Sequence, residues 1–302
     1  MFEVKVPATS ANLGCGFDSL GVALNLYNRF VFKKTDKKID INIKESNKVL
    51  NLPLEKNLIY IALKKLYNMV NKKLEGLKVV EYSNIPLARG LGSSATAIIG
   101  SLVGGNEILN NPLTDQEILD LALQIEDHPD NIVPAFTGGL VINIINNHKI
   151  EYKKIKVEGD LKIVLIIPDF ELKTSNLRKV LPAEVKLQDA VFNHSRTALL
   201  TSVFINQEWE RLSLAMEDRL HQNYRAKLIP GFKEVLTRGY ESGALGIALS
   251  GAGPTVIAFC KEKEKYIGKE MVQTFRAHGI NSRYLITEFN NRGAEIRKER
   301  FL

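Results

Sequence analysis

Pro86-Leu87-Ala88-Arg89-Gly90-Leu91-Gly92-Ser93-Ser94-Ala95-Thr96 sets two glycines and two serines at the mouth of an apolar run. Gly90 and Gly92 let the backbone adopt positive φ and approach a ligand closely. The amides of Ser93, Ser94 and Ala95 open a helix predicted over residues 93–110, and a helix N-terminus is partly positive, so a polyphosphate binds there readily. Residues 90–95 also match the dinucleotide pattern G-x-G-x-x-A, but no acid stands at the end of a second parallel strand, and G-x-x-x-x-G-K-[ST] does not occur. The plain structural alternative is a glycine turn with a serine N-cap opening a core helix.

Two more loops of small residues flank this one. Residues 7–21, Pro-Ala-Thr-Ser-Ala-Asn-Leu-Gly-Cys-Gly-Phe-Asp-Ser-Leu-Gly, follow a short alternating strand over 2–6, and Ser250-Gly251-Ala252-Gly253-Pro254 separates the apolar runs 245–249 and 255–259. With these three loops in this order, the chain resembles the GHMP kinases over nearly its whole length. Segments 10–18, 126–131 (Glu-Asp-His-Pro-Asp-Asn), 177–182 (Leu-Arg-Lys-Val-Leu-Pro) and 224–230 (Tyr-Arg-Ala-Lys-Leu-Ile-Pro) are similar to the branch that acts on homoserine. The resemblance implies an α+β, two-domain fold, with an N-terminal domain of the type first described in a ribosomal protein, a ferredoxin-like C-terminal domain and the active site between them. It also implies transfer of the γ-phosphoryl of ATP to the side-chain hydroxyl of L-homoserine, a step toward threonine, and a possible homodimer.

Composition agrees. A chain of 302 residues with 45% hydrophobic and 25% charged content suits two ordinary domains of a globular protein, placed here at 1–155 and 156–302. No apolar stretch reaches the roughly 20 residues that span a bilayer, and the N-terminus lacks a signal-peptide core, so the expectation is a cytoplasmic protein without a membrane partner. The formal charge of +7 is spread over pairs such as Lys33-Lys34 and Lys64-Lys65, which reads as solvated surface and not as a nucleic-acid footprint. Cys15 and Cys260 have neither metal-ligand nor disulfide spacing.

Periodicity predicts strands over 20–34, 39–45, 77–82 and 140–145 and helices over 56–73 and 115–126 in the first half. Thr114 and Glu117 form a capping-box pair, with Leu113 and Ile118 as a hydrophobic staple, and that helix delivers Glu126 at its C-terminal end. A polar bend at 146–149 precedes a charged stretch to residue 160. In the second half come strands over 161–167, 245–249, 255–259 and 281–286 and helices over 174–180, 187–206, 208–222, 230–242 and 262–278. Strands and helices mix without regular βαβ alternation, which favours α+β.

Phosphoryl transfer demands alignment and charge neutralisation, and Mg²⁺ asks for hard oxygen ligands. Glu126 is the expected carboxylate ligand and Ser93 the hydroxyl, with Ser94, Asp127 and Asp130 as alternatives. By the resemblance, Asn12 and Asp18 meet the amino-acid head group, Arg178 and Arg225 hold its carboxylate, and His128 and Asn131 line the hydroxyl side. Thr174 assists, and Gly251 and Gly253 complete the substrate site. Asp130 as a general base and Asn131 as an orienting group in base-free catalysis both remain open. So do a related kinase acting on mevalonate, which has no ammonium for Asp18, and a non-catalytic metabolite- or RNA-binding relative.

Overall fold

The structure is a computed structural model that describes residues 1–36, 38–45, 48–50, 52–172 and 174–298; the side chains of Lys48, Thr174, Ser175 and Asn176 lie outside the description. The strands are β1 (Phe2–Ala11), β2 (Leu20–Lys34), β3 (Asp40–Glu45), β4 (Lys48–Leu50), β5 (Leu77–Ser83), β6 (Leu140–Asn146), β7 (Lys149–Ile155), β8 (Lys162–Pro168), β9 (Gly246–Leu249), β10 (Val256–Cys260), β11 (Ser282–Thr287) and β12 (Glu295–Arg297). The helices are α1 (Leu58–Met69), α2 (Ser93–Ile108), α3 (Asp115–Leu123), α4 (Pro129–Thr137), α5 (Thr174–Lys179), α6 (Leu187–Asn206), α7 (Leu212–Ala215), α8 (Gln222–Arg225), α9 (Phe232–Glu241) and α10 (Glu264–Ala277).

The first sheet runs β12-β1-β2-β5-β3-β4, with β6 and β7 branching from β2. The long strand β2 makes this branch: its first residues pair with β6 and its last with β5, while β1 covers its other edge. Pro7 has no amide to give the ladder, and the β1–β2 register shifts between Pro7 and Ala8. The second sheet is antiparallel, in the order β11-β8-β10-β9.

Three apolar clusters hold the layers. One lies between the first sheet and α1 to α4, including Phe30, Phe32, Leu63, Leu66, Ile98 and Leu102. Another lies between the second sheet and α9 and α10. The remaining one mixes Leu20, Val22, Leu24 and Leu91 with Leu165, Phe204, Trp209 and Phe259, so the two sheets share a core and hold a fixed relation. Segment 288–290 extends this link, with Asn25 N donating to Glu288 O (2.8 Å) and Asn290 N to Ala23 O (2.9 Å).

Several expected elements differ. The helix expected over 115–126 is α3, which has the capping box: Thr114 N donates to Glu117 Oε2 (2.8 Å) and Glu117 N to Thr114 Oγ1 (3.3 Å). It stops at Leu123, however, so Glu126 sits in the turn before α4. In place of one helix over 208–222 there are short turns, because Asp218 accepts from the amides of Leu220, His221 and Gln222 (2.9, 3.0 and 2.7 Å) and caps a new start. The polar bend at 146–149 is a hairpin turn with Asn147 and His148 at φ 49° and 62°, the geometry that suits the twist of two strands. Cys15 and Cys260 are buried free thiols, pushed by burial to about 11, and inert.

Candidate active site

The segment 86–96 wraps the start of α2. Gly92 caps the helix in a left-handed conformation (φ 68°), and the first intrahelical bond runs from Thr96 N to Gly92 O (3.0 Å), which leaves the amides of Ser93, Ser94 and Ala95 ahead of the ladder. The glycines do not open space for a ligand, as the sequence suggested. A Cβ on Gly92 would stand 1.9 Å from Thr9 Oγ1, and one on Gly90 would stand 2.2 Å from Ser250 O. Their bareness instead lets the loop press against β1 and the loop after β9. Arg89 ties it down from outside, with Nε donating to Pro168 O (2.9 Å) and Nη2 to Asp169 O (2.8 Å).

A cavity of about 420 Å³ opens at this helix start, lined by residues 86–94 together with Ala97, Glu126, His128, Asn131, Gly251 and Ala252; its other end is Ile43, Leu50, Leu52, Lys56, Leu58 and Glu81. Ala95 and Thr96 turn into the core instead. Gly253 lies outside the lining and makes the turn, its amide donating to Ser250 O (2.8 Å).

Glu126 faces the start of α2, where Ser94 Oγ donates to its Oε2 (3.0 Å). An acid disfavoured at its own helix end thus lies against the positive end of another. Among the described residues no cluster of three or more His, Cys, Asp or Glu can hold a metal by itself. One carboxylate and one hydroxyl beside a phosphate loop do fit Mg²⁺, which keeps waters and takes phosphate oxygens. Ser93 also lines the cavity, whereas Asp127 is exposed outside it.

Asp130 and Asn131 part company on the first turn of α4. Asn131 lines the cavity; its Oδ1 accepts from Thr9 Oγ1 (2.7 Å) and its Nδ2 donates to Asp130 Oδ1 (3.4 Å), which fixes the amide's orientation and leaves the second N–H of Nδ2 as a donor. Asp130 is 2% exposed and lies behind the wall; burial, then the Asp18 and Glu126 carboxylates, push it up to about 7.

The expected substrate residues converge beside the cavity. Arg178 Nη2 donates to both carboxylate oxygens of Asp18 (2.8 and 2.7 Å) and lies 3.0 Å from His128 Nδ1. Its Nε is buried without a partner among the described residues. Arg225 is 2% exposed, with Nη1 donating to Gly251 O (3.1 Å) and His221 Nδ1 (3.1 Å), while His221 Nε2 donates to Gly14 O (2.8 Å). Burial lowers both groups, Arg225 to about 10, so the guanidinium stays charged beside a neutral imidazole. Asn12 Nδ2 donates to the same Gly251 O (2.9 Å), and both guanidinium groups lie over the Phe17 ring (5.6 and 5.3 Å). The side chain of Thr174 falls outside the described residues.

Thr9, Phe17, Glu81 and His221 were not singled out from sequence. Glu81 is an ordinary strand position by alternation, Thr9 falls in the segment 7–21 read from sequence as a loop although β1 runs on to Ala11, and only His221, four residues before Arg225 on a helical turn, carried a usable signal.

Comparison with known proteins decides the family. The model of the GHMP kinases N terminal domain matches residues 57–139 and that of the GHMP kinases C terminal matches residues 200–276. A homoserine kinase of Halothermothrix orenii is 52% identical, over 100% of this chain and 98% of its own. The chain belongs to the homoserine kinases. Another of that family, from Clostridium beijerinckii, is 44% identical over 98% of both chains. The crystal structure of homoserine kinase from Cytophaga hutchinsonii superposes with a TM-score of 0.89 at 28% identity, covering 98% of this chain and 96% of that one. Mevalonate kinase of Methanococcus jannaschii, at 20% identity and a TM-score of 0.70 over 96% and 98%, shares the two-domain GHMP fold. No helix among the described residues is long and apolar enough to cross a membrane.

Proposed function

We propose that this homoserine kinase transfers the γ-phosphoryl of ATP to the side-chain hydroxyl of L-homoserine, in the cytoplasm, with Mg²⁺ at Glu126 and a hydroxyl of Ser93 or Ser94. The observation that carries it is the junction of two chemistries: a helix start with the amides of Ser93, Ser94 and Ala95 ahead of the ladder, next to a cluster holding one carboxylate and two guanidinium groups. A zwitterion with a hydroxyl needs that cluster. The Nε of Arg178, buried without a partner among the described residues, and the guanidinium of Arg225 are donors for the carboxylate; Asp18, partly exposed, is the group for the ammonium.

In the transfer, the bond from the hydroxyl oxygen to the γ-phosphorus forms while the bond to the β,γ-bridging oxygen breaks, with charge moving to the leaving phosphate. The amides at the start of α2 stabilise that charge, and Mg²⁺ would neutralise it further. Asn131 Nδ2 holds the acceptor hydroxyl or a γ-phosphoryl oxygen in line; an amide cannot take the proton, and Asp130 lies behind it. A loose transition state needs no early deprotonation, so the hydroxyl proton leaves with the phosphoryl group or to solvent. For the metal, the test is rate against free Mg²⁺. Glu126→Gln is expected to raise the Mg²⁺ requirement about tenfold or more, and an unchanged requirement would move the metal elsewhere.

A further inference from the structure

Of the two acids lining the cavity, Glu126 has a task at the phosphate end, and Glu81 stands at the other end without one. Glu81 is 3% exposed, on the face of β5 that packs toward α2, and it opposes Phe30 on β2 and Ile43 on β3. Its Oε1 accepts from Asn28 Nδ2 (3.0 Å). The orientation of Asn28 is fixed, since its Oδ1 accepts the amides of Asn84 and Ile85 (2.9 and 3.0 Å) and its Nδ2 also reaches Thr96 Oγ1 (3.0 Å). Glu81 Oε2 takes no part in that bond, and the residue lines the cavity. The polar groups of a residue buried this far are normally satisfied by protein, water or ligand.

The rest of this end is an apolar slot, Ile43, Leu50, Leu52 and Leu58, with Lys56 as its cation. A flat heteroaromatic ring fits such walls, and Glu81 supplies a hydrogen-bonding edge. We propose that Glu81 is a specificity-determining residue for the nucleotide, its Oε2 hydrogen-bonding the edge of the purine base that occupies the apolar end of the cavity. This rests on the nucleotide being bound as described above. Burial, with the Glu45 carboxylate second, pushes the carboxyl up to about 7. With Oε1 committed as an acceptor, the proton of the neutral acid resides on Oε2 and is donated to a ring nitrogen. Glu45 on β3 and Lys56 in the cavity are the charged groups around it; α2 contributes Thr96 and Ala97.

The test is ATP affinity by calorimetry for wild type, Glu81→Gln and Glu81→Leu, at about pH 6 and about pH 8.5, on either side of that titration. Wild type is expected to weaken about tenfold at the higher pH, the worth of one hydrogen bond. Glu81→Gln keeps an acceptor for Asn28 and a donor for the base, so its affinity changes less with pH than that of wild type. Glu81→Leu is about tenfold weaker than wild type at the lower pH, with the KM for homoserine unchanged. Among deaza analogues of ATP, each missing one ring nitrogen, one loses affinity for wild type but not for Glu81→Leu. Should Glu81→Leu fail to fold, the isosteric Glu81→Gln still decides through its pH profile. ATP binding to wild type with the same pH profile as Glu81→Gln overturns this inference alone, whereas wild type that binds no ATP overturns the nucleotide assignment itself.

Discussion

Asp130 and Asn131 are neighbours in sequence, yet one turn of α4 gives them opposite surroundings: a carboxyl sealed in the core and an amide on the cavity wall. Asn131→Ala is therefore expected to cut kcat about a hundredfold by releasing the acceptor, while Asp130→Asn keeps most of the turnover. Steady-state kinetics with homoserine checks both, and the reverse order would establish Asp130 as a base. The same carboxyl affects stability with a definite sign. Its folded value, about 7, lies above the ordinary aspartate value of 3.8, so between these limits the folded state holds more protons and stability falls as pH rises. Glu81, raised to about 7, adds to that fall. In urea melts across this window, Asp130→Asn should flatten the decline; an unaltered slope would show that the carboxyl is not protonated in the fold. Both residues were legible in the sequence as candidates. Which one faces the cavity was not, because that depends on the phase of α4, whose marks, Pro129 at its first position and Gly138 after its end, bound the helix without setting its phase.

At the scale of elements, α2 lies against β2 because its glycines admit aromatic rings. A Cβ on Gly100 would stand 2.4 Å from Phe30 Cδ2, and one on Gly104 would stand 2.2 Å from a Phe32 ring carbon. Gly100→Ala, which would improve the propensity of an isolated helix, is expected to destabilise by about 1–3 kcal/mol through overpacking, measured by urea denaturation; a stabilised variant would contradict this packing. Elements with a strong local signal were readable: the capped start of α3, the apolar α2 and the alternating β5 with its buried residues at every second position. Those without one were not. β7 is mostly exposed and β12 has only three residues, so their pairing with β6 and β1 comes from distant partners and leaves little local pattern. The breaks between 208 and 222 come from a side chain, Asp218, outcompeting a helix that periodicity allowed.

At the scale of the molecule, the substrate cluster exists only because the two halves share a core. Asp18 meets Arg178 across 160 positions of chain, and Asn12 meets Gly251 across 239. Asp18→Ala is expected to raise the KM for homoserine about tenfold or more, with the KM for ATP little changed; equal effects on both would mean a structural role for the ion pair. Motif matching located these residues, but not their pairing. The sequence assigned Asp18 and Arg178 to different groups of the same amino-acid head, and the structure joins them in one ion pair that homoserine would enter. The most direct measurement is identification of the product, by mass spectrometry and phosphorus NMR, after incubation of the full chain with ATP, Mg²⁺, L-homoserine and mevalonate together. The expected outcome is O-phospho-L-homoserine as the dominant product. Phosphorylation of mevalonate in preference to homoserine, or no ATP-dependent product at all, would contradict it.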